Sequence, residues 1–482
     1  MSVQPKRVAV IGAGASGLTA VKCLLDEGLT PVVFEQSARI GGIWTYDENL
    51  PDGGGIAYRS LRTNTSRQMM AFSDFPFPDS LPDFPLRADV LAYLHAYADV
   101  FHLREHIRLQ TPVESITPLS GGGWSVRSTS GVERFDAVVV CSGRDVVPAL
   151  PRYPGLETFP GARLHSRAYK SPEPFAGQTV LVVGIGSSGA DIAVELSAVA
   201  GRVLLSTPRG GWFVPHYIAG RPFDQLLTRA SSQLPYALRL RFFQRLICGE
   251  YARMGLSRHP QDWRMPTPPF DLWRARITPS SALIPSVVHG TVEVVPEIAH
   301  VAGSGVTFAN DRSARVDTLI FSTGYDIAFP FMERTLLDPA GNRLDLYKHV
   351  FHPELPDLAF VGMVTVGGPL PPVAEMQARW VARVLAGAVR LPTPAQMRED
   401  VRLRRALQAQ RSPYPLRVQL ADYLDELAAE IGVRPQVSRY LPLAGRLLLG
   451  PLIAAQYRLN GPGVWPGAAA LMRQSKPRDR AL

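Results

Sequence analysis

Two short glycine-rich turns hold the residues best suited to chemistry. Gly12-Ala13-Gly14-Ala15-Ser16-Gly17 and Gly184-Ile185-Gly186-Ser187-Ser188-Gly189 both spell G-x-G-x-x-G. Each follows an apolar run, RVAVI (7–11) or TVLVV (179–183). Each precedes a helix-forming stretch, to about Gly28 in the first case and over 188–200 in the second. Glycines at this spacing let a backbone turn approach a pyrophosphate. The helix that follows offers N–H groups and the positive end of its dipole. One such turn is a weak signal; two in the same strand–turn–helix setting predict two dinucleotide sites.

The residues beyond each turn tell the sites apart. The first leads to the strand PVVFE (31–35), which ends in Glu35. A carboxylate there accepts from both ribose hydroxyls and repels a 2′-phosphate, so this site suits the AMP half of FAD or NAD. The second leads to VLLST (203–207), with no acid at its end. Ser206, Thr207 and Arg209 stand where the 2′-phosphate of NADP would lie, and an arginine can grip it with two hydrogen bonds. One dinucleotide of each kind implies electron flow from NADPH to a flavin. A disulfide acceptor would need a C-x-x-C motif, which is absent. Oxygen, an external carrier or a substrate remain as acceptors.

The elements that must position these turns repeat as well. Asp136-AVVVCS-Gly143 and Asp317-TLIFST-Gly324 share an Asp, an apolar strand and a Gly seven residues on. The glycine turns are 172 residues apart and the Asp–Gly strands 181. A duplicated nucleotide-binding fold is the simplest account. The expected class is α/β, with two Rossmann-like domains, the NADP domain inserted into the FAD domain. Residues 1–170 form the first segment of the FAD-binding domain and 176–320 the NADP-binding domain. Residues 321–470 supply the second segment of the FAD-binding domain, with helices near 373–388 and 395–410, and 471–482 a basic tail. Between 41 and 85, Gly, Pro, Asn and aromatics predict an irregular, site-forming region. Residues 88–103 read as a helix and 111–135 as a β meander. Residues 212–276 read as a helical insertion, with ten Arg against four acids from Arg221 to Arg276 and a helical stretch over 234–254.

Composition sets the outer bounds. The chain has 482 residues, 46% hydrophobic and 19% charged, enough for two to four domains and ordinary for a globular protein. Cys23, Cys141 and Cys248 lie far apart. They exclude a disulfide scaffold and a cysteine zinc site, and fit a reducing cytoplasm. The net charge of +9 favours anionic partners. No compact nucleic-acid module is visible, so anionic cofactors come first and no nucleic acid is expected. His102-Leu-Arg-Glu105-His106 spells H-x-x-E-H without a third ligand, and no metal is expected. Met1 to Lys6 is short and polar, unlike a secretion signal. The closest approach to a spanning segment, Tyr440 to Ala455, is broken by Pro442, Arg446 and Pro451. No transmembrane helix is therefore expected, while peripheral membrane contact and a homodimer stay open.

Longer motifs add a family. FPGARLHSRAYK, Phe159 to Lys170, fits the pattern F-x-G-x-x-x-H-x-x-x-Y-K at every defined position. With it stand Gly41-Gly42-Ile43-Trp44, YRSLRTNTSRQMMAFSDFPFP (Tyr58 to Pro78), STPRGGW (Ser206 to Trp212), FSTGY (Phe321 to Tyr325), EMQARW (Glu375 to Trp380) and QYRLNGPGVW (Gln456 to Trp465). On these the chain resembles the flavin-containing monooxygenases, class B flavoprotein monooxygenases. The resemblance implies FAD, NADPH and O₂, with a small soft nucleophile as substrate. Reduced flavin captures O₂ as a C4a-hydroperoxide, NADP⁺ shields it, and an amine nitrogen or a sulfur takes the distal oxygen. It implies a role for Asn64, whose uncharged amide can donate to the peroxide or flavin and accept from the nicotinamide ribose. It brings Thr63 and Thr65 to the cofactors. Gly42, Ile43 and Trp44 come along the flavin, Ser188 to Asp191 (with Gly189 and Ala190) open the helix at the NADP pyrophosphate, and Gly324, at the end of its strand, is expected to bind cofactor. His165 and Tyr169, four apart, share a face if that stretch is helical. They read as a hinge coupling NADPH binding to catalysis, with a local structural hydrogen bond as the alternative. Baeyer–Villiger relatives carry Trp at the Tyr169 position, so Tyr169 favours N- or S-oxygenation. Oxygen insertion beside a ketone, an NADPH oxidase releasing H₂O₂, and a non-turnover redox sensor are the rival readings.

Overall fold

The computed structural model describes residues 5–49, 55–257 and 277–474. Its central elements are, in chain order, β1 (Arg7–Ile11), α1 (Ala15–Asp26), β2 (Thr30–Phe34), β3 (Ile107–Arg108), β4 (Ala137–Val140) and β5 (Ala162–His165). There follow β6 (Thr179–Val183), α2 (Ser187–Leu196), β7 (Arg202–Ser206), β8 (Glu293–Val295), β9 (Thr318–Phe321), β10 (Leu358–Phe360) and α3 (Pro371–Leu385). They make two five-stranded sheets, in the orders β10-β4-β1-β2-β3 and β8-β7-β6-β9-β5. Every pairing is parallel. Both faces of a parallel sheet are covered, so its strands read as unbroken apolar runs. Val8, Ala9 and Val10 of β1 and Val180, Leu181 and Val182 of β6 are fully buried.

The Asp–Gly echo acquires a physical reason. Asp136 Oδ2 accepts from Arg7 N at 2.7 Å, and Asp317 Oδ2 from Thr179 N at 2.8 Å. Each Asp therefore fixes the first residue of the glycine-turn strand beside it. The repeat is also longer than the two motifs. A three-stranded antiparallel meander, 113–118, 124–128 and 131–135, leads into β4. A second, 298–302, 305–308 and 313–315, leads into β9.

Three expectations need correction. A boundary at 170 does not follow the sheets: β5, at 162–165, lies on the edge of the second sheet beside β9. The 212–276 segment is not wholly helical. It holds a helix at Tyr236–Arg253, but Trp212–Val214 pairs with Ile277–Pro279 and Tyr217–Ile218 with Arg221–Pro222. Apolar residues alternate with arginines there too irregularly to fix one period. The tail begins later than 471, because Ala468–Gln474 is helical with Met472 buried. The rest of the tail and residues 258–276 lie outside the described residues.

A buried ionic cluster closes the first unit. Glu375 on α3 accepts from Ser73 N at 2.7 Å and from Arg458 Nη2 at 2.9 Å. Arg458 also meets Asp74 at 2.9 Å, and Asp74 meets Lys22 of α1 at 2.7 Å. Arg458 and Glu375, from two of the longer sequence motifs, thus pin the C-terminal segment onto α1.

Candidate active site

At the first turn the glycines are required by contact. A Cβ on Gly12 (φ +102°) would stand 2.7 Å from Cys141 O, and one on Gly17 1.9 Å from Gly12 O. With these side chains missing, α1 starts at Ala15 with its first N–H groups open at Gly14. Ala13 N donates to Glu35 Oε2 at 2.7 Å, and Ser37 N to Oε1 at 2.8 Å. Glu35 is thereby held at the end of β2, buried beside the turn with acceptor capacity to spare. Gly41 N donates to Ala13 O at 3.0 Å. A Cβ on Gly42 would approach Gly14 Cα to 3.0 Å, so the Gly41–Trp44 stretch abuts the turn. Ile43 is 44% exposed there, a large apolar side chain open beside a polar cradle. Ser142 Oγ, just past β4 next to Gly12, is buried without a partner among the described residues.

The second turn repeats the construction. A Cβ on Gly184 (φ +105°) would lie 2.5 Å from Ser322 O, and one on Gly189 2.0 Å from Gly184 O. Gly186 leads into α2, where Ser187 and Ser188 are half-buried and Gly189 and Ala190 are packed against the sheet. Ser206 and Thr207, expected at the 2′-phosphate, are both bonded to nearby backbone groups. Ser206 Oγ donates to Pro296 O at 2.8 Å, and Thr207 Oγ1 accepts from Gly210 N at 3.1 Å. Both hydroxyls shape the turn, because strand ends spend their side-chain donors and acceptors on nearby backbone groups. Arg209 is exposed and makes no hydrogen bond or ion pair among the described residues. It is the member of the three open to a phosphate.

Asp191 also departs from expectation. Its carboxylate accepts from the Tyr58 hydroxyl at 2.6 Å. Burial pushes that carboxyl up to about 6, against the opposing pull of the phenol. One turn on, Glu195 Oε2 accepts from Tyr169 at 2.7 Å.

The His165/Tyr169 stretch is not a helix. His165 ends β5 and a turn carries the chain to Tyr169, because the strand pairs with β9 up to Phe321. His165 Nδ1 accepts from Arg167 N at 3.2 Å, so the ring proton sits on Nε2 and is donated to Gly324 O at 3.0 Å. Burial lowers the imidazole below its ordinary value, which keeps it neutral. Gly324 therefore serves this contact through its carbonyl. Lys170 Nζ donates to Gly55 O at 2.9 Å and Ala57 O at 3.2 Å, and Arg59 N to Lys170 O at 2.9 Å.

Those contacts fix the segment that carries Asn64. Asn64 and Thr65 are half-buried, and the Asn64 amide has no hydrogen bond among the described residues. Thr63 Oγ1 is buried and unpartnered among the described residues. Asp224, from the 212–276 segment, accepts from Ser66 N at 2.6 Å. Burial pushes its carboxyl up to about 6. Gln225 donates to Gln68 at 3.2 Å. Beyond Gln225 lies a cavity of about 420 Å³ lined by Arg221, Pro442, Arg446, Leu449 and Pro451.

Several of these groups carried no local signal. Asp224 is one of four acids in an arginine-rich stretch. Gly362 (φ +85°) is another: a Cβ there would fall 2.3 Å from Ser16 Oγ, and its N–H goes to Gln377 on α3 at 2.8 Å. Tyr58 stood inside a motif, where its partner could not be read.

The cradles, the carboxylate at one strand end, the exposed guanidinium after the other, and buried hydroxyls without partners among the described residues fit a pair of dinucleotides. Comparison with known proteins agrees. The model of a family described as flavin-binding monooxygenase-like matches residues 5–481. The chain is 39% identical to the human flavin-containing monooxygenase 2 (Homo sapiens), over 98% of this chain and 92% of that one. It is 37% identical to the N-oxide-forming dimethylaniline monooxygenase 2 of Oryctolagus cuniculus, with the same coverage. Among solved structures it is similar to the S-allyl-L-cysteine S-oxygenase of Allium sativum, at 28% identity and a TM-score of 0.67 over 90% of each chain. Cyclohexanone monooxygenase, at 22% identity and a TM-score of 0.67 over 89% of this chain and 98% of that one, shares the fold.

Proposed function

The chain belongs to the flavin-binding monooxygenase-like family, and we propose that it uses FAD, NADPH and O₂ to oxygenate an amine nitrogen or a sulfur of a small molecule. The observation that carries this reading is the pair of matched cradles with opposite strand-end chemistry, Glu35 at one and Arg209 after the other. Bound FAD supplies the redox chemistry, taking hydride from NADPH and activating O₂. The protein binds, orients and excludes water. The N–H groups at Gly14 to Ser16 hold the FAD pyrophosphate and Glu35 its ribose. Ile43 and Trp44 cover the flavin, flanked by Thr63 and Thr65. Gly186 to Ser188 receive the NADP pyrophosphate, and Arg209 the 2′-phosphate. Asn64, with a free amide, both donates and accepts at the reacting centre while staying uncharged. His165 and Tyr169 act as the hinge between the two units, supported by their bonds to Gly324 O and Glu195. The three free cysteines, two of them buried, support a cytoplasmic location. No described helix is long and apolar enough to cross a membrane.

The test is NADPH consumption by the FAD-loaded enzyme with methyl phenyl sulfide, dimethylaniline and cyclohexanone in parallel. Products and H₂O₂ are both quantified. Sulfoxide or N-oxide in near-equal yield to NADPH supports the proposal. Lactone alone would make this a Baeyer–Villiger enzyme, H₂O₂ alone an oxidase, and no consumption a redox sensor.

A further inference from the structure

The second glycine turn is bonded to the Asn64 segment through one stripe of α2. Ser187, Asp191 and Glu195 are spaced four apart, so they line one face of the helix, and Ser187 opens it at the turn. The next two carry carboxylates, and each takes a phenol: Asp191 reaches out of the second unit to Tyr58, and Glu195 holds Tyr169 in the turn that follows β5. Asp191 accepts from Tyr58 at 2.6 Å and Glu195 from Tyr169 at 2.7 Å. The two phenol rings meet edge to face, centroids 5.9 Å apart. Tyr58 begins the segment that reaches Asn64 six residues later, a path of at most about 20 Å.

That segment is fastened along its length. Lys170 holds Gly55 O and Ala57 O below Tyr58. Leu61 N returns to Tyr58 O at 3.1 Å, Thr63 N binds Pro85 O at 3.0 Å, and Ser66 N binds Asp224. Between these clamps the Asn64 amide has no hydrogen bond among the described residues. A helix moves as one body because its backbone is bonded turn to turn. An anion that settles on the first turn of α2 therefore fixes Asp191 one turn below, and with it Tyr58. We propose that Asp191 and Tyr58 are a positioning pair that transmits occupancy of the second glycine turn to Asn64. The proposal rests on reading that turn as the NADP site. It gives Asp191 a role distinct from the direct cofactor contact its motif suggests. It is reciprocal: ordering the Asn64 segment strengthens cofactor binding by the same free energy.

The experiment is amide hydrogen exchange on the FAD-loaded enzyme, with and without saturating NADP⁺, for the wild type, Tyr58→Phe and Asp191→Asn. In the wild type NADP⁺ slows exchange at 184–190 and, by about tenfold, at 59–66. Both variants keep protection at 184–190 and lose most of it at 59–66. They also bind NADP⁺ about fivefold more weakly by calorimetry. Equal protection of 59–66 in wild type and variants overturns the proposal. So does protection of 184–190 alone in the wild type. No protection at 184–190 in the wild type overturns the cofactor assignment itself. FAD content identifies a misfolded variant, and Tyr58→Phe and Asp191→Asn remove the bond from opposite ends, so either one that folds decides.

Discussion

At the first turn Gly12 N donates to Phe34 O over 2.8 Å; at the second Gly184 N donates to Ser206 O over 3.0 Å. A Cβ on the third glycine would strike the carbonyl of the first, at 1.9 Å in one turn and 2.0 Å in the other. An Asp one strand away fixes the start of each turn's strand, over 2.7 and 2.8 Å. The backbone cradle is thus copied, and the two units diverge only past the helix, at the end of the second strand. The first unit places a buried carboxylate against its own turn through Ala13 N. The second turns its strand-end hydroxyls inward and leaves a guanidinium outside. A shared cradle suits the pyrophosphate that both dinucleotides carry. On the proposed reading, the choice between the two dinucleotides falls to the strand ends, where the two units differ.

The sharpest way to break this comparison is to spoil one cradle at a time. Gly17→Ala should abolish FAD retention and yield colourless protein, with a loss of about 3 kcal/mol or more from overpacking against Gly12 O. Gly189→Ala should leave the protein yellow and cut NADPH-driven flavin reduction by at least about a hundredfold, read by anaerobic stopped flow. Loss of both cofactors from either variant would show that the two cradles are not independent. Arg209→Ala comes next. Removing a charge-assisted contact worth about 1.5–3 kcal/mol should raise KM for NADPH by roughly 10–100-fold and leave KM for NADH almost unchanged. Equal rises for the two would reassign the second site. Asn64→Asp puts a charge at the reacting centre and should raise H₂O₂ released per NADPH about fivefold, with NADPH affinity little altered. Unchanged coupling would remove Asn64 from its role. The smallest effect belongs to Ser206→Ala. Its hydroxyl bonds Pro296 O, so stability should fall by about 1 kcal/mol in urea titration while the NADPH/NADH preference stays the same. A changed preference would return Ser206 to the phosphate.

The cradles were legible in the amino-acid sequence because their information is local. Glycines at fixed offsets, apolar runs before them and Glu35 after one of them lie within about thirty residues. The same holds for the helices, whose observed limits of 87–100, 371–385 and 394–411 lie within a few residues of those expected. The Asp136/Asp317 echo was visible, and its cause was not, since the bond it makes spans 129 residues in one unit and 138 in the other. Tyr58 with Asp191, Ser66 with Asp224 and Ser16 beside Gly362 are likewise long-range pairs without a local trace. The placing of β5 failed for the same reason, because no spacing rule says which sheet takes an edge strand. The place of Ser206 and Thr207 at the strand end is readable from the sequence, but the direction of a hydroxyl depends on a rotamer set by the surrounding backbone. Helical spacing misled at His165 and Tyr169, where four residues spanned a strand end and a turn.

The position of β10 bears on how the chain is made. Every strand of the second sheet comes from one continuous stretch, 162–321, whereas the first sheet opens with residue 7 and is closed by Leu358–Phe360. Gly362, whose φ of +85° favours glycine and which lies against Ser16, follows at once. A chain emerging N-terminus first therefore completes the inner unit while the outer one still lacks an edge strand and the helix that covers α1. During synthesis the first sheet stays incomplete until residues 358–360 are made, whereas the last strand of the second ends at residue 321. Truncation before residue 358 would leave a folded inner unit attached to an exposed, unfinished sheet edge, which is a template for aggregation.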